Sequence, residues 1–137
     1  MIMCKLLMSI NPEHVENILA GKKKFEFRKT KCKEQIDSIV IYSTAPVMKV
    51  VAEVEVKDII EDTPQTVWKR TSNAAGIDKK FFDKYYSGRN TAVAYVLGCV
   101  TQFESPRNLT DYGVKAAPQS YVYIRNDMNT CLQTGSN

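Results

Sequence analysis

A single histidine, His14, and a single tryptophan, Trp68, occur among 137 residues, and no apolar run approaches the length needed to cross a bilayer. The lone imidazole excludes a two-histidine ribonuclease mechanism within this chain. Cys4, Cys32, Cys99 and Cys131 are even in number but irregularly spaced, with no C-x-x-C pair. That argues against a zinc centre or a disulfide framework and leaves thiols used as small apolar side chains. No metal and no cofactor is expected. Repeats, low-complexity segments and a basic leader with a cleavage site are missing as well. The sequence therefore reads as a cytoplasmic protein with no membrane partner, one domain over residues 1–125, and a polar, disordered tail over 126–137.

What is present is charge in one place. The net charge is only +4, yet Lys22, Lys23, Lys24, Arg28, Lys29, Lys31 and Lys33 crowd twelve positions that hold only Glu26 against them. Such a cluster suits a phosphate-bearing partner; a solvated strand edge kept soluble by lysines has the same appearance. The cluster follows a short helix. Asn11 is placed to cap it, Pro12 fits its first position, Ile10 can staple onto Val15, and Val15, Ile18 and Leu19 form its apolar stripe. Gly21 then ends it in a left-handed conformation. The chain passes directly into an alternating strand, Lys24 to Arg28, with Phe25 and Phe27 on one side and the charged residues on the other.

The rest of the chain reads mostly as strands. Cys4 to Ser9 is a short apolar segment, Ile36 to Tyr42 a β-branched central strand, and Lys49 to Ile60 alternates cleanly. A capped start at Asp62-Thr63-Pro64 and another at Asp78 predict two helices. In the second, Phe81, Phe82, Tyr85 and Tyr86 recur at helical spacing, a pattern that favours core packing over a stacking platform. Thr91 to Thr101 is a buried strand with a bend or bulge at Gly98, stopped by Ser105-Pro106; Leu109 to Ala117 is a loop or single turn, and Gln119 to Ile124 is the last strand. About six short strands with an N-terminal helix and a helical insertion fit an α+β domain built on a small, mixed, mainly antiparallel β-barrel.

Four features together resemble the ASCH family, the activating-signal-cointegrator homology domains of the PUA-like superfamily. They are Asn11-Pro12 opening a helix, Gly21-x-Lys23-x-x-Glu26-x-Arg28, the strand end Ile41-Tyr42-Ser43-Thr44 with Pro46, and Ala117-Pro118-Gln119-Ser120. The resemblance runs from about Leu6 to Ile124. It implies a cleft beside the first helix that receives RNA or a nucleotide. Lys23, Glu26 and Arg28 would line it, with Ser43, Thr44, Gln119 and Ser120 as neighbours.

Three readings of that cleft stay open. As an RNA- or nucleotide-binding module, Lys22, Lys23, Lys24 and Arg28 would contact phosphates, and Glu26 and Gln119 base edges. As a small hydrolase acting on a modified nucleoside or on RNA, Glu26 would serve as general base and Lys23 as electrostatic stabiliser. One branch of the family resembles an amidohydrolase with a Thr three positions after its Lys; here that position holds Glu26, and Ser43, Thr44 or Ser120 could supply a hydroxyl if the fold brings one of them within hydrogen-bond reach of Lys23. The third reading gives the basic corner an acidic protein partner. A Glu–Arg pair that merely ties the helix corner to the barrel is the bland counterpart of all three.

Overall fold

The computed structural model describes residues 4–125; the expected polar tail lies outside them. Strand β1 (Cys4–Ile10) leads into α1 (Pro12–Leu19), and the chain continues through β2 (Phe25–Arg28), β3 (Ser38–Ser43) and β4 (Lys49–Asp62). Two helices follow, α2 (Pro64–Thr71) and α3 (Lys79–Tyr85), joined by a 3-10 turn over Ser72–Ala74. Strand β5 (Ala92–Arg107), a second 3-10 turn over Leu109–Tyr112 and β6 (Tyr121–Arg125) complete the described chain. The six strands form one curled sheet, a half-barrel in the order β2-β5-β4-β3-β1-β6. Among the described strands only the β1–β3 pair is parallel.

Local chemistry explains the helix ends. The Asn11 side chain accepts from Glu13 N–H with Pro12 behind it, the Thr63 side chain accepts from Thr66 N–H, and the Asp78 side chain accepts from Phe81 N–H. Gly21 takes φ +79 just past α1, which lets the chain turn with no linker. The staple also holds: Ile10, Val15 and Ile18 are buried together with Leu6, Met8, Ile39, Ile41 and Val54. A second apolar cluster, centred on Phe82, sits under the helical insertion and packs α2 and α3 against Phe27, Ala92 and Ala94. Leu7, Val40, Tyr42 and Val50 form a third, on the other face of the sheet. Cys4 and Cys32 are buried in the first cluster, the Cys32 thiol donating to Glu34 O at 3.4 Å, whereas Cys99 is exposed.

β5 runs past the expected stop at Ser105-Pro106. It pairs with β2 only over Val93 to Val96, so beyond that stretch one side of the strand has no ladder to satisfy, and the missing N–H of Pro106 breaks nothing. Its pairing with β4 slips on either side of Val56, which faces Leu97. Gly98 lies in this bulged stretch, where a side chain would collide with the Glu55 carboxylate, and that carboxylate accepts the Cys99 N–H at 3.2 Å.

Candidate functional site

The corner after α1 is a cleft of about 190 Å³, lined by Asn11 and His14 from the start of the helix, Lys23, Glu26 and Arg28 from β2 and its approach, and Ile77, Phe81 and Tyr85 from the insertion. Lys23 is 3% exposed and Glu26 5%, so both ionic groups are held away from bulk water. Three backbone features hold Lys23. Its Nζ donates to Ala75 O at 3.0 Å, the next residue's N–H donates to Ala74 O at 2.9 Å, and Gly76, at φ +73, passes so close that a Cβ there would collide with Lys23 Cβ and Cγ. The ammonium also lies 4.8 Å from the centre of the Phe27 ring.

Arg28 spends most of its guanidinium inside the protein. Nε and Nη2 lie 3.1 and 3.0 Å from Glu26 Oε2, Nη2 donates to Ser9 O at 2.9 Å, and Nη1 donates to Ser120 Oγ at 3.1 Å. One side chain on the edge strand β2 thereby reaches β1 and the start of the opposite edge strand, β6. Its own carbonyl accepts from the Tyr86 hydroxyl at 2.8 Å. Glu26 is left half used: Oε2 faces Arg28, while Oε1 is buried with no hydrogen-bond partner among the described residues. Lys23 sits in the same cleft without forming an ion pair to it.

Burial lowers the pKa of Lys23 from its ordinary value, with Arg28 acting in the same direction and Glu26 opposing. His14 is lowered too, first by burial and then by the nearby Lys23 charge, so its imidazole is biased towards the neutral form. Its Nδ1 is the other buried polar side-chain atom without a partner among the described residues. Burial raises the Tyr85 phenol.

The expected site residues are not all brought together. Lys23, Glu26 and Arg28 converge, and Ser120 joins them through Arg28. Lys22 and Lys24 are exposed, and Lys24 lines a different groove with Glu55 and Lys57. Ser43 is buried in β3, Thr44 is half-buried at its end with its N–H donated to Ile10 O, and Gln119 is exposed; none of the three lines the cleft. The lysine run itself fans out. Lys29 lies 4.9 Å from the centre of the Tyr85 ring, and Lys31 and Lys33 border a groove that also holds Glu34 and Asp58.

Sequence reasoning passed over His14, Ile77, Phe81 and Tyr85 as cleft residues. The aromatic stripe of α3 divides: Phe82 and Tyr86 are core, while Phe81 is 49% exposed at the cleft. A signal was there for His14, which stands one helical turn from the cap Asn11 and so shares its face.

A curled mixed sheet with a cleft between its first helix and an edge strand defines a half-barrel domain of the PUA-like class. The sequence matches the ASCH domain over residues 8–109, and the chain belongs to that family. The fold is that of the crystal structure of an ASCH protein from Zymomonas mobilis, with a TM-score of 0.81, 26% identity, and 91% of this chain and 90% of that one covered. Among curated proteins, the chain is 29% identical over 92 residues to an ASCH domain-containing ribonuclease of Zymomonas mobilis, covering 66% of this chain and 62% of that protein. It is also 25% identical over 121 residues to the large ribosomal subunit protein uL22 of Ureaplasma parvum, where it covers 88% of itself but spans only 39% of the relative's length.

Proposed function

We propose that this domain binds single-stranded RNA, drawing one segment of the strand into the cleft between α1 and β2. The observation that carries the reading is a pair of buried opposite charges, Lys23 and Glu26, facing one open cleft without neutralising each other. A structural pair closes on itself; these two groups keep hydrogen-bonding capacity for something else. Lys23 uses one of its three N–H donors on Ala75 O, so the others are available to phosphate or to a base acceptor. Arg28 has one Nη1 proton to spare and otherwise fixes Glu26 and the cleft wall. Two relatives bear names from RNA biology, a ribonuclease and a ribosomal protein, which supports the same class of partner.

Binding of a fluorescent single-stranded RNA, measured by anisotropy across a salt series, tests this. Affinity falls with added salt, with a slope of about 0.7 per phosphate contacted, and Lys23→Ala weakens it at least tenfold. Binding indifferent to both salt and Lys23 overturns the reading.

A second reading, cleavage of the bound RNA, is favoured by the lowered pKa of Lys23 and the open Oε1 of Glu26. Glu26 would take the proton from the attacking 2′-hydroxyl, and the Lys23 ammonium, made more acidic by burial, would give a proton to the leaving 5′-oxygen as its bond to phosphorus breaks and a 2′,3′-cyclic phosphate forms. Incubation with end-labelled RNA gives shorter products that disappear in Lys23→Ala and Glu26→Gln. Intact RNA after long incubation leaves the binding reading alone in place.

A further inference from the structure

Charge sets the helical insertion apart from the rest of the chain. Residues 63–90 carry six lysines and arginines against two aspartates, a surplus equal to the net +4 of the whole protein, so the remainder is neutral. A solvated helical surface needs charge, but not charge of one sign. Both acids are already engaged: Asp83 lies 2.7 Å from Lys79, and Asp78 caps α3 by accepting the Phe81 N–H at 2.8 Å. Lys69, Arg70, Lys80, Lys84 and Arg89 are exposed and form no ion pair among the described residues.

The side chains of α3 fall into strips. Phe81 and Tyr85 line the cleft, while Lys79 and Asp83 border a second groove, of about 410 Å³, between α2 and α3. Helical periodicity puts Lys80 and Lys84 one turn apart on the crest between those strips. A helix is about 10–12 Å across with its side chains, so the cleft and the groove lie back to back with a lysine ridge between them. Trp68 and Arg89 also line the groove. The indole packs on the Phe82 ring, 4.9 Å away, and is partly exposed. An accessible indole beside a free guanidinium suits a nucleotide of an unstructured strand, the base held by stacking and the phosphate by charge, whatever the sequence. An acidic peptide would use the cations and leave the indole idle.

We propose that the insertion carries a second RNA contact outside the cleft: a single strand leaving the cleft crosses α3 over Lys80 and Lys84 and lays a nucleotide against Trp68 and Arg89 in the groove beyond. The route rests on the RNA-binding reading and extends it to a separate surface. None of these four residues lines the cleft, so the contact can be removed with the cleft intact. Trp68 is also the chain's single tryptophan, which makes its emission a direct report on the groove.

The test compares a trimer and a dodecamer of cleavage-resistant 2′-fluoro uridine, by anisotropy and by tryptophan emission. The dodecamer binds about tenfold or more tighter than the trimer and quenches Trp68, whereas the trimer fills the cleft and leaves the emission unchanged. The exposed double variant Lys80→Gln/Lys84→Gln weakens the dodecamer about fivefold and lowers its salt slope by about 1.4, the value for two phosphate contacts, with the trimer unaffected. Arg89→Ala weakens the dodecamer alone. Unchanged Trp68 emission at saturating dodecamer, or full dodecamer affinity in the double variant, overturns the route while cleft binding stands. Equal weakening of trimer and dodecamer places the two lysines at the cleft and overturns it as well. A dodecamer sensitive to the double variant but indifferent to Lys23→Ala overturns the cleft reading and keeps the insertion contact. An oligoglutamate of the same length that binds as tightly makes this a surface for acidic protein and overturns the RNA contact. No binding of either oligonucleotide overturns the route and the reading beneath it together.

Discussion

Two clusters of the same residue types, on different parts of one sheet, have been put to different ends. Across β1, β3 and β4, Lys5 Nζ lies 2.7 Å from Glu53 Oε2 and Ser38 Oγ donates to that same oxygen at 2.6 Å. No buried atom of this cluster lacks a partner. At the cleft, Lys23, Glu26, Arg28 and Ser120 supply a similar set, but Glu26 Oε1 stays open and Lys23 is bonded to a backbone carbonyl instead of a carboxylate. Burial separates them further, since the Lys5 and Glu53 side chains keep 17% and 26% of their surface in water against 6% for that of Glu26. A charge that can be rehydrated contributes little either way; one that cannot must be held by something, and what it is not yet paired with is where a partner fits.

The widest gap between the clusters is expected in stability when a cation is removed. Arg28→Ala strands the buried Glu26 carboxylate and cuts the link from β2 to Ser9 O, costing about 3 kcal/mol in urea denaturation. Lys5→Ala costs less than about 1 kcal/mol because water replaces it. Similar losses for the two would erase the distinction between site and strut.

Next is a separation of function from stability. Lys23→Met lowers RNA affinity at least tenfold while leaving the thermal midpoint unchanged or raised, since a buried ammonium carries a desolvation penalty that an isosteric apolar chain escapes. The sign in pH follows. A lysine whose folded pKa lies below its unfolded value of 10.5 binds more protons when unfolded, so stability rises between the two values in the unaltered protein and this rise is missing in Lys23→Met. A large loss of stability in Lys23→Met would make Lys23 structural.

Gly76→Ala sharpens the comparison from outside the charged set. It forces a Cβ into a left-handed backbone position and against the Lys23 stem, so it destabilises by about 1–3 kcal/mol and carries RNA affinity down with it. Unaltered affinity in a folded Gly76→Ala would detach the loop from the site.

The smallest effect concerns His14. Its folded pKa lies below the unfolded 6.5, so the unfolded chain takes up the proton first and stability is lost as pH falls from about 6.5 through the folded value. His14→Gln flattens that acid limb in pH-dependent thermal unfolding. An identical limb in the variant would show that the imidazole is not held in the cleft.

Much of this site was legible along the chain. Asn11, Pro12 and Gly21 fix the ends of α1 through short-range geometry, and Lys23, Glu26 and Arg28 follow closely enough that the turn itself carries them to one place. The fate of the lysine run was not legible, because seven nearby cations look like one patch until β2 and the following loop point them to separate grooves. Phe81 and Phe82 show the same limit at its shortest range: adjacent residues of one type, separated in role only by which helix face meets Phe27 and Trp68. Pro106 misled for a related reason, since whether a strand tolerates proline depends on how far its neighbour extends.

By itself, the sequence determined the local events: caps, turns, strand alternation, and a short signature that delivers three ionic groups to one corner, all set by bonds and sterics between residues close in the chain. Only the tertiary structure decided what those groups do. Ser9 and Ser120, 19 and 92 residues away from Arg28, absorb its donors, and Ala75, 52 residues from Lys23, takes one of its own. Which atoms stay unsatisfied is a property of the closed fold, because hydrogen-bond partners distant in sequence are chosen by the packing of the whole sheet.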